Sequence, residues 1–367
     1  MKVRTCAIMS SFNEADIIEE SISKLINQGV DVYLIDNGST DNSIEIAKKY
    51  LNKGLIEIKT AKFYENGKEV YDWTKLLALK QDIAKSLDYD WFIHVDADEI
   101  RYSPWKKYNL SEGISIVNSM GYNLINFKLF NFHLTTERER KSSVEEGMQY
   151  YSKGEDFNRM QVKAWKKDLQ IDLLRFAGHI AVVKEPNIFP TRFIHKHYPI
   201  RSIEQGARKI LKERLGRYSQ SDKAKGWHIH YDHMNVPHEQ LKSKIIKDQS
   251  NLELFGIEDV RDELLIESAR IISTLQNFNN STQLLLDDGK IYQLLKSYKI
   301  DTSDIIDDFK IIINKVQSLI LEGHNFDDIV SNESGLKEAI NKILQIIALN
   351  NYLLGDPLLW DKSIKRN

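Results

Sequence analysis

Apolar and polar positions alternate in blocks through the N-terminal region. Val3 to Met9 is a short apolar run, closed by the polar stretch Ser10-Ser11-Phe12-Asn13-Glu14. Ile18, Ile22, Leu25 and Ile26 then recur at helical spacing, and Gly29 falls where a helix C-cap would sit. Val30 to Ile35 predicts a second strand, ended by Asp36-Asn37-Gly38-Ser39-Thr40-Asp41, turn formers that lead into N-cap residues. Ile44, Ala47 and Leu51 continue with helical period, and Leu55 to Ile58 predicts a third strand. A helix over about Trp73 to Leu87 leads into Trp91-Phe92-Ile93-His94-Val95, a strand apolar enough to be central. Strands separated by helices imply right-handed βαβ units and a largely parallel sheet. Ligands bind such sheets beyond the carboxyl ends of the strands. Those ends carry Ser11 to Glu14, Asp36 to Asp41 and Asp96 to Glu99, so polar residues gather where a site belongs.

From Asn123 to Arg201 the pattern is strand-rich and irregular, with strands predicted over Asn123–Phe132, Gln161–Trp165, His179–Val183 and Arg192–Ile194. The polar tract Thr135 to Asp156 reads as a long loop of the kind that forms lids or binding loops. Ser202, with Gln205 at the capping-box position, predicts a helix running to about Tyr218. After Pro237 glycine thins out, and Leu264, Leu265, Ser268, Ile271, Ile272 and Leu275 keep helical spacing. The boundary near Asn235 gives two expected domains, an α/β domain over 1–235 and a helical C-terminal domain over 236–367. The apolar content of that tail needs a partner surface: the first domain, itself, or a second copy in a homodimer.

Composition narrows the function classes. The chain has 51 Lys and Arg against 53 Asp and Glu, a net charge of −2, which gives no global electrostatic case for nucleic acid. The balance is uneven. Residues 236–367 hold 15 basic and 21 acidic residues, and His195 to Lys225 holds nine basic against three acidic. A basic stretch in a near-neutral chain suits a local anion such as a phosphate. The single cysteine, Cys6, excludes an internal disulfide framework and a cysteine-rich zinc site, and reads as a small buried hydrophobe. No apolar run is long enough for a membrane span, and the start MKVRTCAIMSSFNE lacks a signal-peptide core, so a cytoplasmic protein is expected.

The chemistry concentrates in His94-Val95-Asp96-Ala97-Asp98-Glu99. Asp96 and Asp98, two apart, share one face of an extended strand. Hard oxygen ligands at a cleft suit Mg²⁺ or Mn²⁺, which grip diphosphate oxygens, and three adjacent acids need such compensation. Trp227-His228-Ile229-His230-Tyr231-Asp232-His233 puts His228 and His230 on one strand face, but no cysteine or neighbouring ligand set supports zinc there. Closing the domain or lining an acceptor groove suits those side chains better.

With these residues in view, the chain resembles glycosyltransferases of family 2, with the GT-A fold, over about residues 1–235. Ser11-Phe12-Asn13-Glu14 resembles the opening loop against the nucleotide base. Asp36-Asn37-Gly38-Ser39-Thr40-Asp41 resembles the D-[ND]-x-S-x-D segment, Asp96-Ala97-Asp98 the D-x-D metal motif, and His195-Lys196-His197-Tyr198-Pro199-Ile200-Arg201-Ser202 a segment in which a His completes the metal site. None of the four is specific alone; their order along the chain is.

The resemblance implies a nucleotide-sugar site at Ser11, Asn13, Glu14, Asp36, Asn37, Ser39, Lys80, Asp96, Arg201, Arg208 and Lys209. Asp36 and Glu14 would contact the nucleoside, Lys80 would stand near the diphosphate, and Arg201, Arg208 and Lys209 would hold the pyrophosphate with the following helix N-terminus. Asp96, Asp98 and His197 would hold Mn²⁺ or Mg²⁺, with His195 as the alternative imidazole. An inverting displacement at the anomeric carbon is implied, from a UDP-linked donor to a carbohydrate acceptor in bacterial surface glycan synthesis. One departure stands out. Family members place the base in a Glu-Asp pair after a glycine-rich strand, whereas this chain has Ala177-Gly178-His179 followed by Glu185. The base candidates are His179, Asp156, Glu146 and Glu185, with His179 preferred, and inversion or retention stays open. The competing readings are a non-catalytic glycan-binding or scaffold protein on the same fold and a nucleotidyltransferase. The latter wants a Gly-rich basic loop that Ser10 to Glu14 lacks.

Overall fold

The computed structural model describes residues 3–135, 143–153, 161–167, 169–184, 186–214, 217–225, 242 and 244–265. Strand β1 (Thr5–Ser11), helix α1 (Ile18–Asn27), β2 (Asp31–Asp36), α2 (Ser43–Lys48) and β3 (Leu55–Thr60) make two successive βαβ units. A small hairpin, β4 (Phe63–Glu65) and β5 (Lys68–Val70), precedes α3 (Trp73–Ser86) and β6 (Trp91–Asp96). Then follow β7 (Glu99–Tyr102), α4 (Leu110–Ser119), β8 (Leu124–Phe132), α5 (Val144–Gly147), β9 (Tyr150–Lys153), β10 (Val162–Lys166) and β11 (Ile188–His197). Helix α6 (Ile203–Arg208) passes into a π-helical turn, Lys209–Arg214, before α7 (Gln220–Ala224) and β12 (Glu253–Leu254).

The strands form one mixed sheet in the order β12-β9-β8-β10-β6-β1-β2-β3, with β11 pairing both β7 and β8. β6, β1, β2 and β3 are parallel neighbours, as the βαβ pattern predicts. β10, β8, β9 and β12 pair antiparallel, and β11 joins β8 in parallel. The chain leaves β1 toward β2 and β3 on one side and reaches β6 on the other. The carboxyl ends of β1 and β6 therefore flank the point where strand order reverses, the crevice that open α/β sheets use for ligands.

Both faces of the parallel half are covered, which is why β1 is buried throughout. Period-two alternation sends Ala7 and Met9 to one face, against Ile18, Ile22 and Leu25 of α1 and Leu110, Ile114 and Val117 of α4. Cys6 and Ile8 go to the other face, against Trp73, Leu76 and Leu77 of α3. The Asp72 side chain starts α3 by accepting from Lys75 N at 2.9 Å. A third cluster brings Phe130, Phe132, Ile194 and Tyr198 together with Ile245, Val260 and Leu264.

Several local expectations change. His179–Val183 is not a strand: Ile180 and Val182 make only single bridges, to Val162 and Asp172. The polar tract after Thr135 contains α5, capped by Ser143, and β9, paired with β8. The helix expected over Ser202–Tyr218 has its Ser202 cap, whose Oγ accepts from Gln205 N at 3.0 Å. It then widens into the π turn, and Tyr218 instead bridges Tyr71. Beyond Asn235, β12 pairs with β9 and a helical segment over 257–265 packs into the third cluster. Residues 266–367, which carry most of the expected helical domain and the homodimer surface, lie outside the described residues, as do His228 and His230. Among the described residues no helix is long and apolar enough to cross a membrane.

Candidate active site

Strand register assembles the site. β1 pairs Ser11 with Asp36 and Ser10 with Asp96, so residues distant in sequence meet at one rim. Asp36, buried, accepts from Gly38 N at 3.0 Å and from Ser39 N at 3.2 and 3.0 Å, folding the loop after β2 onto its own carboxylate. Gly38 takes φ +82° at that turn. Asn13, itself at φ +55°, accepts from Thr40 N at 2.8 Å and donates its own N–H to Ser39 Oγ at 2.9 Å. Asn37 donates to Ala61 O at 2.6 Å. Among the described residues, the buried Ser11 Oγ and Asn37 Oδ1 find no hydrogen-bond partner. Asn13, Asp36 and Ser39 thus brace one another at the carboxyl ends of β1 and β2.

The three acids Asp96, Asp98 and Glu99 occupy three environments. Asp96, a third exposed, accepts from Ser10 Oγ and lies 3.4 Å from Lys80 Nζ. Asp98 is buried; its Oδ2 accepts from Lys209 Nζ at 2.9 Å and stands 3.7 Å from His197 Nε2. Desolvation alone would raise its pKa, but the Lys209 ammonium beside it outweighs burial and holds Asp98 well below the usual carboxylate range. Glu99 lies deeper, accepting from Lys163 Nζ at 2.9 Å and Arg101 at 2.6 Å, with His195 Nε2 at 2.9 Å. Arg101 and Lys163 likewise overcome its desolvation and keep it well below the usual range.

The two imidazoles have different surroundings. His195 is buried against Glu99 and Arg101, and burial and the arginine keep it well below its ordinary pKa, in the neutral form. His197 is 29% exposed and its Nδ1 is fixed by Asn131 Oδ1 at 2.9 Å. With Nδ1–H donated to Asn131, the Nε2 lone pair faces Asp98, the arrangement that orients metal-binding histidines. Asp98 Oδ2 and His197 Nε2 are close enough for one cation to touch both, so this pair fits Mg²⁺ or Mn²⁺. Asp96 Oδ1 is turned to Ser10 and Lys80, and among the described residues no group of three potential ligands converges.

The four basic residues expected at the diphosphate each have a partner within the protein. Lys80 is fully buried, 3.0 Å from His94 Nδ1 and 2.9 Å from Val95 O; burial lowers its pKa to about 8. It supports the Asp96 strand end from beneath. Arg201, also fully buried, pairs with Glu14 and Asp16 and donates to Tyr198 O at 2.8 Å. Burial works against its charge, and the two acids outweigh it. Glu14 pairs with that Arg201 and with Lys209 at 3.3 Å. Arg208, 39% exposed, donates to Asn13 O at 2.9 Å and borders the opening loop.

Of the base candidates, Glu146 is exposed and closes the Ser143 capping box of α5. Asp156 and Glu185 lie outside the described residues. His179 Nδ1 is 3.2 Å from Gln161 Nε2, and burial, helped by Lys163, lowers it to about 4. Gly178 beside it has φ +81°, and an added Cβ would meet Leu77 Cδ2 at 2.9 Å and His94 Nε2 at 3.0 Å. Gly178→Ala is therefore expected to destabilise the fold by about 1–3 kcal/mol, from positive-φ strain plus crowding. Urea unfolding measures this.

Sequence reasoning missed Arg101, Lys163, Asn131 and Arg217. The Arg217 guanidinium stacks 3.5 Å over the Phe12 ring and donates to Asn37 O and Glu69. Asn131 shows a readable signal only once β8 and β11 are paired, because their register sets it opposite His197.

Comparison with known proteins follows the same lines. Residues 6–103 match the family model described as glycosyl transferase family 2. No curated protein matches the chain. Among solved structures, S. aureus TarS is similar at 13% identity and TM-score 0.35, over 66% of this chain and 46% of that one. TarS 1–349 in complex with UDP is 13% identical at TM-score 0.31, over 66% of this chain and 78% of that one. Glucosyl-3-phosphoglycerate synthase from Mycobacterium tuberculosis, in complex with phosphoglyceric acid, is 17% identical at TM-score 0.22, over 39% and 47%. The chain thus spans less than half of full TarS, and likeness at this level assigns no residue a role. The family match covers β1 through β7, the stretch of chain that carries Asp36, Asp96 and Asp98, so residues 6–103 are similar to glycosyltransferases of family 2.

Proposed function

We propose that the protein transfers a sugar from a nucleotide donor, UDP-linked, to a carbohydrate acceptor, with inversion at the anomeric carbon. The observation that carries this reading is the Asp98–His197 pair at the strand-order switch point, beside the loop that Asp36 folds. The domain match supports the class of reaction; uridine and a bacterial surface glycan acceptor come from the family resemblance.

In this reading the nucleoside lies against Ser11, Asn37 and the Asn13–Ser39 brace, with Arg208 at the rim. Asp98 and His197 would hold Mg²⁺ or Mn²⁺, which supplies positive charge to the diphosphate oxygens as the bond to the sugar breaks. Asp96, steadied by Ser10 and Lys80, presents its carboxylate to the sugar or ribose. The acceptor oxygen attacks the anomeric carbon, the bond to the diphosphate breaks, and the electron pair leaves with the nucleoside diphosphate. The acceptor's proton goes to a base, and His179 is our candidate. A pKa of about 4 makes it a weak one, and the charged leaving group must then provide much of the driving force.

The test is release of nucleoside diphosphate from a panel of nucleotide sugars, with Mn²⁺, Mg²⁺ or EDTA. Metal-dependent release from one donor is expected and identifies base and sugar. Silence with every donor, together with no metal-dependent UDP binding by calorimetry, would leave a non-catalytic protein and overturn the proposal.

A further inference from the structure

Lys209 is only 3% exposed, yet its ammonium lies among three acceptors: Asp98 Oδ2 at 2.9 Å, Pro199 O at 3.1 Å and Glu14 Oε1 at 3.3 Å. Its place in the fold is particular. It is the first residue of the π-helical turn, directly after α6, and that change of helical pitch falls where the side chain enters the buried acids. Glu14 has a second cation in Arg201. Asp98 has Lys209 and, at 3.7 Å, the His197 edge. A buried carboxylate without a counter-charge is costly, so an ammonium in contact with it lets the site fold with Asp98 ionised. The same contact uses a lone pair of the oxygen that faces His197, and places a positive charge beside any cation arriving there.

We infer that Lys209 is a built-in competitor for the metal position: its ammonium and a divalent ion contend for Asp98 Oδ2, so the ion binds weakly alone and tightly with the nucleotide's diphosphate. This rests on the reading of Asp98 and His197 as metal ligands. The diphosphate offers the negative charge that offsets the ammonium, which couples metal and nucleotide binding. Metal and donor would then enter the site together, and metal alone would leave the protein little changed.

The experiment compares wild type with Lys209→Met by calorimetric titration of Mn²⁺, without and with UDP, alongside thermal melting. Lys209→Met is expected to bind Mn²⁺ alone about tenfold more tightly, the size of one screened charge contact. UDP is expected to tighten Mn²⁺ binding more in wild type than in the variant. The variant should melt earlier than wild type and regain stability with Mn²⁺, a response lost in Lys209→Met/Asp98→Asn. Equal Mn²⁺ affinity in both proteins overturns the competition and leaves the metal reading standing. No Mn²⁺ binding by either, even with UDP, overturns both. A second measurement uses wild type alone: Mg²⁺ titrated with UDP, followed by side-chain amine NMR of lysine. The Lys209 signal must move as its Asp98 contact is surrendered, and an unmoved signal rejects the inference.

Discussion

Asp98→Asn is expected to lower metal-dependent nucleoside diphosphate release by about a thousandfold, the scale of removing a principal electrostatic stabiliser of a developing anion. The amide keeps the shape of the carboxylate but loses its charge and much of its attraction for a cation. The contact from Lys209 at 2.9 Å survives as a neutral-acceptor hydrogen bond, and Glu14 still offsets the ammonium. The variant should therefore fold, with a lower melting temperature, and a cooperative melt well above the assay temperature separates lost chemistry from lost structure. His197→Ala is the companion, because it removes the second donor and leaves Asp98 with Lys209. Retention of metal-dependent turnover in Asp98→Asn would move the metal site elsewhere and sink the proposed arrangement.

The largest stability effect is expected from Glu99→Gln. Glu99 is the anion shared by Lys163, Arg101 and His195, all buried. Removing its charge leaves Lys163 and Arg101 as buried cations without their carboxylate, a class of change that costs about 3–5 kcal/mol. The Arg101 Nε and Nη1 already lack hydrogen-bond acceptors, and its guanidinium packs over the Phe127 ring at 5.0 Å instead. Urea unfolding of the variant would show the loss as a lower midpoint at unchanged slope; a change below 1 kcal/mol, a ceiling typical of solvent-screened surface pairs, would show the network to be well hydrated.

The same residue sets an acid limit. Because the folded pKa of Glu99 lies well below its ordinary value of 4.5, the unfolded chain takes up the proton first as pH falls. Its stabilisation is whole above about pH 4.5 and disappears as pH drops toward the folded pKa. Asp98 is depressed in the same direction, so wild type should lose stability steeply below pH 4, and Glu99→Gln less steeply.

What the sequence determined by itself was the parallel half of the sheet and the location of the crevice. Alternation through β1 and β2, helical spacing at Ile18, Ile22 and Leu25, and turn residues from Asp36 to Asp41 are local patterns, and local sterics and burial suffice to read them. The D-x-D motif was legible because three acids after an apolar strand need compensation. What only the tertiary structure decided was which partner each charge took. His195 and His197 are two apart and alike in sequence, yet the pairing of β11 with β7 and β8 sends one to buried Glu99 and the other to Asn131 and Asp98. The family resemblance puts Arg201, Lys80 and Lys209 near the diphosphate. Packing places all three under the surface, where desolvation drives a cation to the nearest carboxylate or carbonyl. Long-range register and burial, which no window of residues contains, made that choice.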